Sequence, residues 1–268
     1  MQKTAIIVPC YNEGKRLRGQ DFVKLASTYK DLHFIFSNDG STDDTQEKLF
    51  AICSDKPMQF RCISLGKNSG KAEAVRIGFQ EAFQSDFANI GYWDADLATP
   101  LDVIPTFCEL LDTPGVSMVI GSRVRLLGRK IERRVARHYL GRLFATIASF
   151  ILGLPVYDTQ CGAKIFKNRK ELEIVFHKPF SVRWTFDVEI LARFLMIERF
   201  TGTGSLKSSS IEFPLKEWAD MPGSKIKPTD FIFGVMELLK ILIFFRAPGA
   251  ERRFTELSTG LAPGHLAP

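Results

Sequence analysis

The sequence has few of the residues that build metal centres or disulfide frameworks. Its 268 residues include four histidines and five cysteines, with no C-x-x-C pair and no zinc-site spacing between the two types. Neither G-x-G-x-x-G nor G-x-x-x-x-G-K-[ST] occurs, which argues against dinucleotide oxidoreductases and P-loop NTPases. We therefore expect reduced, mostly buried thiols in a cytosolic compartment.

Long apolar runs are also missing. No stretch reaches the roughly 18–20 apolar residues that a membrane-spanning helix needs. The apolar run at 5–9 has the length of a strand and polar residues follow it, so we do not read it as a signal peptide. With 45% hydrophobic and 25% charged residues, the chain can bury a large core as one domain, with or without an appendage.

Positive charge is concentrated in one segment. The net charge of the whole chain is +6, and residues 123–142 carry eight basic side chains against one acid, a local balance of +7. Such a patch implies an anionic partner, which could be nucleic acid, anionic lipid or phosphate groups. The basic residues are Arg123, Arg125, Arg129, Lys130, Arg133, Arg134, Arg137 and Arg142.

Strand-like and helical segments alternate in the first half of the chain. This alternation predicts a Rossmann-like, mostly parallel sheet with helices on both faces. The pattern changes after 123, where the two most apolar helices are predicted at 139–154 and 231–245. The predicted strands lie at 4–9, 33–38, 60–65, 90–94 and 117–122, with later extended segments at 163–166 and 210–214.

Two carboxylates, Asp94 and Asp96, end one of these strands. If strand geometry persists through Ala95, both side chains point the same way. Two like charges that close together need compensation, and Mg²⁺ or Mn²⁺ carrying a diphosphate supplies it. An Asp-x-Asp turn is also common by chance, so this pair alone does not establish a metal site.

Polar loops follow four successive strands, at 9–13, 38–41, 68–71 and 94–96. Asn, Asp, Gly and Ser are ordinary turn residues, so one such loop carries little weight. Ligands of open α/β sheets bind outside the carboxyl ends of the strands. Four polar loops at that edge therefore favour a ligand crevice.

The same loops carry a family resemblance. The segments VPCYNE (8–13), NDGSTD (38–43), NSGK (68–71), DAD (94–96) and GSR (121–123) resemble, in order and spacing, the inverting family-2 glycosyltransferases of GT-A fold. Three later segments look like the dolichyl-phosphate glucosyltransferase branch, which is related to dolichol-phosphate mannose synthase. They are DTQCGAKIF (158–166), RWTFDVE (183–189) and GSK (223–225). The resemblance covers about residues 5–245.

The resemblance implies a nucleotide-sugar site. UDP-glucose would be the donor and Mg²⁺ or Mn²⁺ the metal, held with the diphosphate by Asp94 and Asp96. The residues that would bind the nucleotide are Pro9, Tyr11 and Glu13 around the base and ribose, Asp39 at the nucleobase and Lys71 at the nucleotide.

The resemblance also implies an acceptor side. Arg123 and Lys225 would neutralise phosphates of the donor and acceptor, and Asp158 and Gln160 would face the acceptor and the sugar. Together with Asp96, the residues Arg123, Asp158 and Lys225 form the expected catalytic set. An acceptor phosphate is already anionic at pH 7, so a strong general base is less necessary.

Two positions depart from the family pattern. Asn38 stands where the family usually has Asp, so recognition of the base would rest more on Asp39. Ala98 stands where the mannose synthases can offer a metal-binding Gln, so the metal would have fewer protein ligands.

The two apolar helices raise the question of a membrane. The sequence leaves open whether 139–154 belongs to the core or faces lipid. As a helix, 231–245 spans roughly 22 Å, which is too short to cross a bilayer core of about 30 Å. Gly234, Glu237 and Lys240 fall within one third of its helical wheel, which favours an amphipathic helix lying in the membrane interface.

These observations predict a GT-A catalytic domain at 1–230, with a nucleotide-sugar half at 1–123 and an acceptor half at 124–230. An interfacial helix at 231–247 and a poorly ordered tail at 248–268 would follow. The expected activity is inverting transfer of glucose from UDP-glucose to a polyprenyl phosphate, at the cytoplasmic face of a membrane with anionic lipid and without nucleic acid.

Two alternatives remain open at this stage. One is a family-2 transferase with another sugar donor or a saccharide acceptor. The other is a non-catalytic basic adaptor that binds anionic lipid or nucleic acid. The carboxylate pair argues against the adaptor, because binding an anion by charge alone needs no acids facing it.

Overall fold

The computed structural model describes residues 1–132, 135–202, 204–220 and 228–259, with the backbone alone at 135–138 and 228–231. The strands are β1 (Thr4–Cys10), β2 (Leu32–Asn38), β3 (Phe60–Ser64), β4 (Asn89–Trp93), β5 (Met118–Ser122), β6 (Lys130–Glu132), β7 (Ala163–Lys167), β8 (Ser210–Pro214) and β9 (Glu217–Ala219). The helices are α1 (Gly19–Thr28), α2 (Thr45–Asp55), α3 (Lys71–Ala82), α4 (Ile104–Asp112), α5 (Val135–Leu152), α6 (Lys170–His177), α7 (Phe186–Thr201), α8 (Leu206–Ser209), α9 (Pro228–Arg246) and α10 (Ala250–Ser258), and a 3-10 turn at Leu101–Val103 precedes α4.

The protein divides into two compact units. The first contains residues 1–119 and 162–168, and the second contains 120–161 and the chain from 169 onward. In the first unit the strand order is β3-β2-β1-β4-β7. Strands β3, β2, β1 and β4 run parallel to one another, and β7 runs antiparallel to β4.

Helices cover both faces of this sheet, as predicted. On one face, the ring of Phe22 in α1 packs edge-on against Phe34, with centroids 5.2 Å apart. On the other face, α3 lies so close to β1 that a Cβ on Gly78 would stand 2.4 Å from Ile7 Cγ2. A strand that is buried on both faces consists almost entirely of apolar residues. Strand β1 is buried in this way, which explains why the sequence at 4–9 predicted a strand so clearly.

The sequence predicted a strand at β7 but not its direction. Gly91 of β4 allows the two antiparallel strands to approach closely, because a Cβ there would lie 2.3 Å from the carbonyl oxygen of Lys164. On the far side of β7, the N–H of Lys167 donates to the carbonyl of Ser117 at 2.8 Å, beside the start of β5.

The second unit begins with the last residues of β5. The N–H of Leu215, after β8, donates to the carbonyl of Ser122 at 2.9 Å. The short strands β6 and β9 pair in parallel, with Ile131 opposite Trp218. Among the helices of the described ranges, none combines the length and hydrophobicity needed to span a bilayer.

The expected unordered tail needs correction, because α10 occupies residues 250–258. Its Ala250 and Leu257 are buried, and the ring of Phe254 stacks on Phe200 with centroids 5.2 Å apart. A few apolar residues at helical spacing are enough to attach this short helix, although the segment is otherwise polar. Residues 260–268 of the expected tail lie outside the described ranges.

Candidate functional site

The carboxyl ends of the first three strands lie level with one another. Cys10 is in register with Asn38, and Asn38 with Ser64. The loops that follow are joined by hydrogen bonds, including Asn12 N–H to Ser41 Oγ at 3.0 Å. The predicted convergence of these polar loops at one sheet edge is confirmed.

Asp39 joins the second loop to the third. Its carboxylate is 2% exposed and accepts the N–H of Ser69 at 2.7 Å and the N–H of Gly70 at 2.8 Å. Asp39 therefore fixes the backbone that leads into α3 and its first residue, Lys71. Its suggested contact with the nucleobase stays a prediction.

The turn at 94–96 differs from the expected geometry. Strand β4 ends at Trp93, so strand alternation does not orient Asp94 and Asp96. The turn is fixed instead by hydrogen bonds from Trp93 Nε1 to the carbonyl of Thr99 at 2.8 Å and from Ala98 N–H to Asp96 Oδ1 at 3.1 Å.

The two carboxylates differ in their surroundings. Lys71 Nζ lies 2.5 Å from Asp94 Oδ1, which links the third polar loop to the fourth. Burial, and then the negative charge of Asp94, raises the pKa of the Asp96 carboxyl, against the opposing effects of the Ala98 N–H and Lys71. A bound cation would lower the energy of this half-buried charge.

The pair fits a divalent cation that also binds phosphate. Within the described ranges, no three His, Cys, Asp or Glu side chains are grouped to hold a metal by themselves. Mg²⁺ is commonly held by one or two carboxylates, with substrate phosphates and water as its remaining ligands. Asp94 and Asp96 match that donor set.

Gly162 limits where the Asp94 carboxylate can lie. The Asp94 N–H donates to the carbonyl of Gly162 at 3.0 Å, and a Cβ on Gly162 would stand 2.0 Å from Asp94 Oδ2. No side chain can occupy position 162 unless this carboxylate moves. The sequence placed Gly162 in a family motif but gave it no role.

The expected base-pocket residues follow β1 or lie at its end. Pro9 is the penultimate residue of β1 and Tyr11 follows the strand. Glu13 is 8% exposed and accepts a hydrogen bond at 2.8 Å from Nε of Arg16. Sequence reasoning missed Arg16, because the burial of Glu13, which calls for a paired cation, is visible only in the structure.

Arg123 and Asp158 form an ion pair in the second unit. Arg123 donates to Asp158 through Nε at 2.6 Å, Nη2 at 2.8 Å and its backbone N–H at 3.0 Å. The guanidinium carbon also lies 5.3 Å from the ring centroid of Trp218. This bidentate contact fixes the plane of the Arg123 side chain.

Gln160 belongs to the same cluster. Its N–H donates to Asp158 Oδ1 at 3.2 Å. Glu212 of β8, which sequence reasoning missed, accepts the N–H of Tyr157 at 2.8 Å and that of Asp158 at 2.7 Å. An acid between the apolar residues Ile211 and Phe213 was the available signal. Lys225, the other predicted phosphate ligand, lies outside the described residues.

Helix α5 settles part of the question about 139–154. One face of the helix is buried, with Phe144 and Ala148 among its residues, and the other exposes large apolar side chains. The helix therefore serves both the core and the surface. The exposed side chains are Tyr139 (69%), Leu140 (41%), Leu143 (53%) and Phe150 (86%).

Helix α9 is oriented differently from the predicted interfacial helix. Gly234 is buried against Phe144, the Glu237 carboxylate accepts hydrogen bonds from 183–185, and Lys240 Nζ donates to the carbonyl of Ser181 at 2.5 Å. The polar third of the helix thus faces protein, and the expected amphipathic arrangement is not confirmed. The large apolar side chains exposed on the described part of the helix are Ile232, Phe233, Met236, Leu239 and Ile243.

Comparison with solved structures identifies the fold. Glucosyl-3-phosphoglycerate synthase of Mycobacterium tuberculosis, solved with Mn²⁺, UDP-glucose and phosphoglyceric acid, superposes with a TM-score of 0.60 at 15% identity. The match covers 90% of this chain and 79% of that one. The fold is the GT-A glycosyltransferase fold.

Sequence comparison then gives the family. The model of glycosyl transferase family 2 matches residues 5–173, and the chain belongs to this family. It is 30% identical to the human dolichyl-phosphate beta-glucosyltransferase, over 91% of this chain and 75% of the relative. A dolichyl-phosphate beta-glucosyltransferase of Trichomonas vaginalis, ALG5C, is also 30% identical, over 91% and 72%. The prophage bactoprenol glucosyl transferase homolog of Escherichia coli is 24% identical, over 91% and 84%.

The protein is therefore a glycosyltransferase, as the resemblance implied. This assignment sets aside the non-catalytic adaptor.

Proposed function

We propose that this enzyme moves glucose from a nucleotide sugar, with UDP-glucose as the best candidate, to a polyprenyl phosphate with inversion at the anomeric carbon. The observation that carries the proposal is the Asp94–Asp96 pair beside Lys71, at the carboxyl end of β4. The names of the relatives, which act on dolichyl phosphate or bactoprenol, support the choice of acceptor.

On the donor side, Asp94 and Asp96 would hold Mg²⁺ or Mn²⁺. When bound, the metal would neutralise charge on the departing diphosphate. Lys71 is a second positive charge that can serve both Asp94 and a phosphate. Asp39 would keep Lys71 in place through its bonds to Ser69 and Gly70. Pro9, Tyr11 and Glu13 would line the base and ribose pocket.

On the acceptor side, an oxygen of the polyprenyl phosphate would attack the anomeric carbon. A new C–O bond forms as the bond between that carbon and the diphosphate breaks, and the nucleoside diphosphate leaves. The attacking oxygen is already anionic, so no proton has to be removed. Arg123, oriented by Asp158, and Lys225 would bind phosphate, while Gln160 would face the acceptor and the sugar.

We further propose that the protein binds the cytoplasmic face of a membrane from the surface. Among the side chains that the structure describes, the outward sides of α5 and α9 present nine large apolar residues, which is unusual for a surface in contact only with water. Leu126 and Leu127 are 48% and 104% exposed, between the basic residues Arg125 and Lys130. Exposed leucines beside arginine and lysine suit an anionic lipid surface.

The test compares acceptors under identical conditions. Purified enzyme with radiolabelled UDP-glucose and Mn²⁺ is given a short water-soluble prenyl phosphate, 3-phosphoglycerate or free glucose. We expect the prenyl phosphate to be the best acceptor, and binding to vesicles that contain phosphatidylserine should weaken as salt rises. If free glucose is the better acceptor and vesicles do not bind at low salt, the saccharide-acceptor alternative replaces this proposal. Equal transfer to 3-phosphoglycerate would mean that the site recognises phosphate without the lipid chain.

The Gly162→Ala variant should weaken Mn²⁺ binding. The added methyl would overlap the Asp94 carboxylate and force it to move. We expect Mn²⁺ affinity in the presence of UDP, measured by electron paramagnetic resonance, to fall by about tenfold or more. A tenfold change in Kd corresponds to a loss of about 1.4 kcal/mol of binding free energy.

Gly66→Ala is the matched control, because no atom lies within 4 Å of a Cβ at that position. Combining Gly162→Ala with Asp94→Ala separates a local clash from general damage to the fold. Removal of the Asp94 carboxylate should restore the melting temperature without restoring Mn²⁺ binding. Unchanged Mn²⁺ affinity in Gly162→Ala would contradict the positioning role of this glycine.

A further inference from the structure

The segment before α7 is bonded to a side chain of α9. Glu237 Oε1 accepts the N–H of Arg183 at 3.0 Å, and Oε2 accepts the N–H groups of Trp184 and Thr185 at 3.0 and 2.9 Å. Oε2 also accepts the hydroxyl of Thr185 at 3.0 Å. Successive backbone N–H groups that converge on one anion form a nest, and this one is filled from another helix.

The adjacent turns of α9 support the same contact. Lys240 Nζ donates to the carbonyl of Ser181 at 2.5 Å. One turn before Glu237, a Cβ on Gly234 would stand 3.9 Å from Cγ2 of Thr185. Three successive turns of α9 therefore contact residues 181–185, and the only carboxylate among these contacts is that of Glu237.

Hydrogen bonds continue from this segment to Arg123. Gln160 Nε2 donates to the carbonyl of Trp184 at 3.4 Å, and the Gln160 N–H donates to Asp158 Oδ1 at 3.2 Å. Asp158 in turn binds Arg123 at 2.6 and 2.8 Å. Within the second unit, a continuous series of contacts joins α9 to the guanidinium group.

We propose that Glu237 is a positioning residue for the acceptor. By holding Trp184 it fixes Gln160, and through Asp158 it fixes the orientation of Arg123. This inference rests on the proposed function, in which the Arg123 cluster receives the polyprenyl phosphate. The outward side of α9 is the proposed lipid-binding side, so Glu237 links the helix in contact with lipid to the residues that bind the lipid phosphate.

The test uses two substitutions at position 237 and one control. Glu237→Leu removes all four hydrogen bonds, whereas Glu237→Gln keeps one oxygen that can accept the three bonds made by Oε2. Glu256→Leu, on α10, removes an exposed carboxylate whose ion pair joins it to Arg252 at 3.1 Å. Each variant is measured for acceptor KM and kcat, UDP affinity, vesicle binding and hydrogen exchange of the amides of 183–185.

We expect Glu237→Leu to raise the KM for a short prenyl phosphate by about tenfold or more, because several hydrogen bonds to a charged group are lost. Exchange of the 183–185 amides should accelerate, while UDP affinity and vesicle binding stay unchanged. Glu237→Gln should lie between Glu237→Leu and the wild type, and Glu256→Leu should equal the wild type.

Two outcomes would overturn the inference. One is a wild-type acceptor KM in Glu237→Leu with accelerated amide exchange, which would make the contact purely structural. The other is a parallel loss of UDP affinity and transfer, which would indicate general misfolding. If the wild-type enzyme itself does not use the prenyl phosphate, the proposed function is wrong. A difference in amide exchange between the Glu237 variants and the wild type would then report only the contact between Glu237 and 183–185.

Discussion

Replacement of Asp96 by asparagine should lower glucosyl transfer by about a thousandfold, since a metal that stabilises a leaving diphosphate contributes several kcal/mol and each 1.36 kcal/mol is tenfold in rate. The fold should survive. Asparagine retains an oxygen that can accept the N–H of Ala98, which Asp96 Oδ1 accepts at 3.1 Å. The change also removes a charge that burial and Asp94 both disfavour, which is why the pKa of this carboxyl is raised.

The measurement has two parts besides the rate. Mn²⁺ binding in the presence of UDP should be lost in Asp96→Asn, and the melting temperature should be unchanged or higher. Asp102→Asn is the matched control, because Asp102 is an exposed carboxylate six residues along the chain. Full transfer by Asp96→Asn, or by the wild type in excess chelator, would show that the carboxylate pair does not act through a metal.

The sheet and the edge where its polar loops converge were predictable because their signals are local. Strands buried on both faces, such as β1, are continuous apolar runs with few other interpretations. The polar residues that follow them mark the carboxyl ends, and parallel pairing brings those ends together, as at Cys10 and Asn38. The position of the site follows from these two facts without knowledge of any long-range contact.

Other features depend on contacts that no local pattern reveals. The antiparallel direction of β7 is set by its neighbours, because a strand of either direction has the same period. The turn that orients Asp94 and Asp96 depends on Trp93 reaching the carbonyl of Thr99. Strand alternation, which the sequence suggested for these two residues, does not apply because β4 ends at Trp93.

Helix α9 shows the limit of hydrophobic periodicity most clearly. The pattern separates Glu237 and Lys240 from the apolar residues, but it does not say which side meets the protein. Polar residues usually face water. Here they bond to backbone groups of 181–185, and five large apolar residues among the described side chains of the helix are on the surface instead. The orientation of the helix depends on the contact between Glu237 and 183–185, which are distant from it in sequence.

The largest stability effect is expected at Arg193. Its guanidinium is 2% exposed, donates to Glu189 Oε1 at 2.7 and 3.0 Å, and also reaches the carbonyls of Val175, Lys178 and Pro179 at 2.7–2.8 Å. Glu189, also buried, accepts the N–H of Ser181 at 2.8 Å. Arg193→Met would leave this carboxylate charged and buried without its cation. Breaking a buried pair in this way costs about 3–5 kcal/mol of unfolding free energy.

Urea unfolding at pH 7 would measure this cost, with extrapolation of the unfolding free energy to zero denaturant. Arg252→Met is the matched control, since Arg252 and Glu256 have the same four-residue spacing but side chains that are 86% and 61% exposed, and such pairs contribute about 0–1 kcal/mol. Adding Glu189→Gln to Arg193→Met should recover part of the loss, because glutamine is neutral and can still accept from Ser181. If the buried and exposed variants unfolded at the same urea concentration, Arg193 would not be the cation that stabilises Glu189.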